Sequence, residues 1–284
     1  MSHTRAAIEA QPEWLLSVQA DLRLPPGRAV FTGCGTSWHA AQTGGDAVEA
    51  LEAVLRPPEA DVLVAVSHEG ETLLTREAVE AFPGETWLVT GSPESPLAAR
   101  CDRVVVCTPR LETSLCHTAS YVCAVAQLAA LRGEDVSGLP ARVAAALDAP
   151  RFAVSEHERW VVAGAGRDWP TAQEAVLKLR EGAHVAAEAH RTEELLHGHL
   201  AAVDASVRCF VLEGEGRAAE RARGAVAALR ALGCDVELVP TEHPAVDVVA
   251  FQLLAVDLAE ARGIDPDPIR RDEEPWARAR RAYD

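Results

Sequence analysis

Lysine is almost absent. Of the 27 basic residues in the 284-residue chain only Lys178 is lysine, and the rest are arginine. Positive charge is also scarce as a whole, with 43 acidic residues giving a formal net charge of -16. Such a surface repels phosphate backbones and anionic lipid, which argues against nucleic-acid and membrane-surface partners. No apolar run approaches the roughly 20 residues of a membrane span. The first residues, MSHTRAAIEAQPEW, carry acidic groups and no apolar stretch, so no signal peptide is read there and a cytoplasmic protein is expected. Seven cysteines are scattered with no CxxC pair, which excludes a disulfide framework or zinc knuckle at this level. With 48% hydrophobic and 25% charged residues the composition is otherwise that of a globular protein. The lone lysine has two readings. It is either a chance survivor in an arginine-rich sequence or a position where a compact, tunable ammonium is needed that guanidinium cannot replace.

The length suggests two domains of roughly 140 residues. Short apolar runs at Ala29–Phe31, Val62–Val66, Trp87–Val89 and Val104–Val106 alternate with helical stretches near 36–55, 73–81 and 96–99. That alternation predicts βαβ units and a parallel sheet. Helices are expected over 114–130 and 139–147. The pattern then restarts with strands at Trp160–Ala163, Val207–Leu212 and Val236–Val239 and helices at 170–189, 217–232 and 246–262. A shift of 131 residues places Gly33, Gly35, Trp38, Ala41 and Gln42 on Gly164, Gly166, Trp169, Ala172 and Gln173. The shared GxGxxWxxAQ pattern after a strand reads as an internal repeat. The fold class is therefore α/β with parallel sheets. The expected boundaries are an N-terminal helix over 1–23, domains over 24–149 and 150–262, and a tail over 263–284.

Each GxG turn lies where a strand feeds a helix, so its glycines permit positive φ and its amides face any bound group. The dinucleotide fingerprint fails because Trp38 and Trp169 stand in place of its third glycine, and no nicotinamide or flavin cofactor is expected. Gly35-Thr36-Ser37 offers two hydroxyls at a helix start, suited either to a sugar or phosphate oxygen or to plain capping. Ser67-His68-Glu69-Gly70-Glu71-Thr72 follows the second strand, and both loops would face one crevice at the carboxyl ends of the strands. Glu174, Lys178 and Glu181 fall on one helix face, with Glu188 continuing the stripe, which is either a salt-bridged surface or a site. His197-Gly198-His199 has metal-like spacing but no convincing further ligand set, so no metal is expected.

Taken in order, Gly33-Cys-Gly-Thr-Ser37 with His39-Ala-Ala41, Ser67–Thr72, Glu112-Thr-Ser114 with Thr118, Glu174–Glu181, Ala187-Glu-Ala189, Glu194–Leu200 and Gly263–Asp267 resemble double sugar isomerase (SIS) domain proteins. The nearest likeness is to the isomerase domain of glucosamine-6-phosphate synthase and to its stand-alone isomerase and deaminase relatives. The resemblance implies two flavodoxin-like α/β/α sandwiches and a homodimer with shared sites. It implies sugar or sugar-phosphate binding at Gly35, Thr36, Ser37, Ser67, His68, Glu69, Thr72, His117 and Thr118. It also implies Glu181 as the proton-shuttling carboxylate, Lys178 as the active-site ammonium and His197 as the ring-opening histidine from the neighbouring subunit.

Three positions depart from the family pattern. Glu69 stands where the phosphate loop has serine, where it would repel a phosphate. His117 and Ala119 replace a small hydroxyl and a basic residue. The tail has Arg270 and Arg271 nearby and Glu274 at the register of the family's lysine. Ser2 after Met1 provides no N-terminal cysteine nucleophile, so glutamine-dependent synthesis is not expected. The expectation is an aldose–ketose isomerase acting on a (phospho)sugar. The alternatives are an amino-sugar phosphate deaminase or a non-catalytic carbohydrate-derivative-binding protein.

Overall fold

The computed structural model describes residues 1–283. Its first half carries strands β1 (Ala29–Thr32), β2 (Val62–Val66), β3 (Glu85–Thr90) and β4 (Arg103–Val106), ordered β1-β2-β3-β4 and all parallel. The second half carries β5 (Arg159–Gly164), β6 (Ala186–Arg191), β7 (Val207–Leu212) and β8 (Asp235–Val239), ordered β6-β5-β7-β8 and again parallel. The strands β2 and β7 are buried along their whole length, as expected for parallel strands covered on both faces.

The helices are α1 (His3–Glu9), α2 (Gln11–Trp14), α3 (Thr36–Thr43), α4 (Ala50–Leu55), α5 (Leu73–Ala81) and α6 (Ala119–Leu131). They continue as α7 (Leu139–Asp148), α8 (Trp169–Ala183), α9 (Thr192–Leu196), α10 (Arg217–Ala231), α11 (Pro244–Ala261) and α12 (Trp276–Arg280). Every residue of α6 is buried, so this helix is apolar all round and lies within the molecule. Likewise, α11 is shared between cores. Val248, Val249 and Leu253 pack with β2, β3 and α6, whereas Phe251, Leu254 and Leu258 pack with Trp160 and Phe210 of the second sheet.

The two glycine turns repeat in three dimensions. Gly35 and Gly166 have φ 55° and 58°. A Cβ on Gly33 would lie 2.9 Å from the backbone of Ser37, and one on Gly164 2.8 Å from the carbonyl of Asp168, so each turn needs glycine to let its helix start against the strand. Between the halves, Gln42 Nε2 donates to Gln173 Oε1 at 2.7 Å, which joins equivalent positions of the repeat.

Several elements differ from the sequence reading. The expected helix over 170–189 ends at Ala183, where His184 adopts φ 55°, and residues 186–191 form β6. Ala186–Ala189 has helix-favouring composition, but parallel pairing with β5 and burial of Ala187 override that preference. Glu188 therefore does not continue the helical stripe. It is exposed on β6, with Oε2 3.1 Å from His190 Nε2. The run 36–55 is broken at Gly44-Gly45 into α3 and α4. Residues 114–118 form the loop preceding α6 and not its first turn. In the tail, Asp267 accepts from the amides of His3 (2.8 Å) and Thr4 (2.7 Å), and its carbonyl accepts from Leu115 N (3.0 Å). The chain end is thereby stitched to α1 and to that loop. No helix among the described residues is long and apolar enough to cross a membrane.

Candidate functional site

Lys178 is completely buried on α8, a helix whose other inward positions are small or apolar apart from Glu174 and Thr171. An ammonium so placed must be paired. Its Nζ lies 2.6 Å from Glu181 Oε2, 3.4 Å from Glu174 Oε1 and 3.0 Å from Thr36 Oγ1, to which it donates. Burial opposes the charged form, but Glu174 and Glu181 outweigh it and raise the lysine above its ordinary range. Lys178 is thus a fixed cation and not a titrating base.

The remaining contacts extend the cluster. Glu174 is buried, and its Oε2 lies 2.7 Å from His39 Nδ1 while its Oε1 accepts from Thr36 Oγ1 at 3.3 Å. Glu181 keeps 23% of its side-chain surface exposed, so of the two carboxylates it is the one a ligand can reach. Helical spacing sets this division of labour. Glu174 and Lys178 are one turn apart and face inward, and Glu181 sits three residues on at the rim.

A narrow cleft of about 10 Å³, room for about one water, lies at the carboxyl ends of β2 and β3 and is lined by Thr36, Ser37, His68, Thr90, His117 and Tyr121. His68 Nε2 accepts from Glu112 N at 2.9 Å, so its proton resides on Nδ1. Burial, with His117 nearby, lowers His68 to about 4 and keeps it neutral. His117 is also lowered, chiefly by burial. Its Nε2 has no hydrogen-bond partner and lies 3.8 Å from Glu69 Oε1. Glu69 is half exposed. Ser67 is buried, and its hydroxyl accepts from Gly70 N at 3.2 Å, shaping the turn. Thr72 is exposed just ahead of α5.

Three expected site residues, Thr72, Thr118 and His197, are not brought into this group. Thr118 is buried, and its hydroxyl donates to Glu112 Oε1 at 2.8 Å. Glu112 also receives the amides of Thr118, Ala119 and Ser120 and the Ser120 hydroxyl, so the Glu112–Thr118 motif caps α6. His197 is at the surface with 74% of its side chain exposed, and its Nε2 lies 2.8 Å from Glu193 Oε1. Within one chain the structure therefore joins Lys178, Glu181 and Thr36 but leaves His197 outside. The sequence assigns His39 no role and leaves Glu174 as either a surface charge or a site residue. Glu174 was visible in the helical stripe, whereas nothing local signals that His39 meets it across the two halves.

A fixed ammonium, a partly exposed carboxylate and a hydroxyl at a glycine turn form a polar cluster that joins the two halves. Residues 154–264 match the SIS domain family. Over most of its length the chain is similar to glutamine–fructose-6-phosphate aminotransferases (isomerizing). It is 26% identical to that of Gloeobacter violaceus over 90% of this chain and 52% of the relative, and 29% identical to that of Aeropyrum pernix over 86% and 50%. The chain thus spans about half the length of the curated relatives it matches. Among solved structures, the C-terminal domain of the glucosamine-fructose-6-phosphate aminotransferase of Francisella tularensis superposes with TM-score 0.77, 19% identity and 94% and 98% coverage. A glucosamine-6-phosphate deaminase of Thermotoga maritima also gives 0.77, at 21% identity with 94% and 97% coverage. At these identities the structures show a shared fold.

Proposed function

We propose that the protein is a sugar or sugar-phosphate aldose–ketose isomerase, and that both halves, 24–149 and 150–262, are SIS domains. The repeated glycine turns support the second statement. The first rests on one observation: Lys178 Nζ reaches Thr36 of the first half and Glu181 at the same time.

In the proposed reaction Glu181 takes the proton from C2 of the open-chain aldose. The C–H electron pair forms the C1–C2 double bond, and the former carbonyl pair goes to O1, which takes up the proton of the C2 hydroxyl. The Glu181 carboxyl then returns its proton to C1 as the O2 electron pair closes the C2 carbonyl of the ketose. The Lys178 ammonium, ionised, desolvated and held by Thr36, Glu174 and Glu181, positions Glu181 and adds a fixed positive field that favours a developing oxyanion. Thr36 and Ser37 orient the hydroxyls. His197, exposed on its own chain, opens the ring in the site of a second copy, which makes the working unit a homodimer with shared sites.

The cleft beside His68 and His117 contains no arginine or lysine among its lining residues, and Glu69 stands at its edge. A phosphate about 4 Å from that carboxylate would be opposed by roughly 4 kcal/mol at an effective dielectric of 20. This favours a neutral or amine-bearing group at that end. Where the sugar instead carries its amine on C2, the same enolisation gives a C2 imine that water hydrolyses to the ketose and ammonia. The test is a panel of hexoses, hexose phosphates and amino sugars followed by NMR in deuterated water. Isomerisation appears as solvent deuterium at the carbon next to the carbonyl, and deamination as released ammonia. Conversion that persists unchanged in Glu181→Gln would remove the proposed base.

A further inference from the structure

The internal repeat gives the Lys178 site a counterpart. Gln42 and Gln173, 131 residues apart, meet between the halves, so the same shift relates the two sides of α3 and α8. Thr36 corresponds to Arg167, Glu174 to Thr43, Lys178 to Ala47 and Glu181 to Ala50.

The counterparts are built differently. Helix α8 runs for 15 residues and its last two turns fill the first site with Lys178 and Glu181, whereas α3 stops after 8 residues at Gly44-Gly45. Where those two turns are missing, a cavity of about 360 Å³ opens between the halves, lined by Thr43, Arg132, Glu134, Arg167 and His243 over a floor of Val125 and Ala129. That volume falls in the range of small-molecule sites.

Its polarity is reversed relative to the first site. Arg167 occupies the position of Thr36, half exposed and bound to Glu215 at 2.8 Å. Arg132 donates to Thr43 O at 3.1 Å and lies 3.9 Å from Glu134, with 44% of its side chain free to reach a ligand. His243 Nδ1 accepts from Ala245 N at 3.1 Å, which leaves its Nε2–H as a donor. Burial, then Arg142 and Arg167, keep it neutral with a pKa lowered to about 4. No carboxylate–ammonium pair equivalent to Glu181–Lys178 exists here, so the cavity has the means to hold an anion and not to move a carbon-bound proton.

We propose that this cavity is a second, non-catalytic site for an anionic carbohydrate of sugar-monophosphate size, with Arg132 and Arg167 on the anionic group and His243 on a hydroxyl. It lies at the far ends of the helices whose other ends carry Thr36 and Lys178.

Calorimetric titration of the intact chain with glucose 6-phosphate, inorganic phosphate and glucose tests it. Glucose 6-phosphate is expected to bind, phosphate more weakly and glucose not at this cavity. Each of Arg132→Gln and Arg167→Gln is expected to weaken glucose 6-phosphate about tenfold, the scale of one charge-assisted hydrogen bond. Glu134→Gln removes an opposing surface carboxylate and is expected to tighten binding. Binding that survives both arginine changes or fails to strengthen in Glu134→Gln would overturn the proposal. So would no binding at millimolar concentration.

Discussion

Lys178 Nζ donates to Thr36 Oγ1 at 3.0 Å, so the chain's one lysine, carried by the second half, touches the glycine turn of the first. Arginine at 178 would bring a planar five-donor group into a space that holds a single Nζ against three oxygens. The site is therefore a property of the contact between halves.

Glu181→Gln should lower turnover by about 10²–10⁴-fold, the usual contribution of a positioned base. Glu181 is partly exposed, so the variant should fold normally and retain ligand binding in calorimetry.

Lys178→Met should destabilise the fold by about 3–5 kcal/mol in urea denaturation, because it leaves Glu174 buried without its ammonium. Adding Glu174→Gln to Lys178→Met should recover part of that loss. No recovery would show that packing at 178, not charge, dominates.

Glu69→Ser should raise affinity for hexose phosphates relative to the neutral hexoses, most strongly at low salt. Equal affinities before and after the change would place Glu69 outside the reach of the ligand.

Stability should depend on the protonation of His68. Its folded pKa is lowered to about 4 from an ordinary 6.5, so its neutral form favours the fold. That contribution is complete above about pH 6.5 and is lost progressively as acid protonates the unfolded chain down to about pH 4. His68→Gln should flatten this segment of the melting-temperature profile, while Gln can still accept from Glu112 N.

Glu181→Gln and His197→Asn should each be inactive on ring-closed substrate. Mixed after unfolding and refolding together, they should regain roughly a quarter of wild-type activity if each site draws on both chains of a twofold dimer. Mixtures that stay inactive would place His197 outside the chemistry.

Much of this was legible from local pattern. β2, α5 and β7 fall where the apolar runs and breakers place them. The 131-residue repeat, read from five identities, reappears as matching positive-φ glycines and as the Gln42–Gln173 hydrogen bond. β6 was not legible, because Ala186–Ala189 favours helix and becomes a strand through pairing with β5. Thr118 read as a ligand group and proved to be a cap partner of Glu112, a distinction that depends on which way a loop folds back.

By itself the sequence determined the alternation of strands and helices, the two glycine turns and the spacing that puts Glu174, Lys178 and Glu181 on one helix face, since these follow from backbone sterics and short-range periodicity. Only the tertiary structure decided that Thr36 and His39 meet that face, that His197 lies on the outer surface and that a cavity remains where α3 stops short. The meeting of Thr36 and His39 with that face depends on packing between segments more than a hundred residues apart, and the other two outcomes on where loops and helix ends settle in space, which no local propensity encodes.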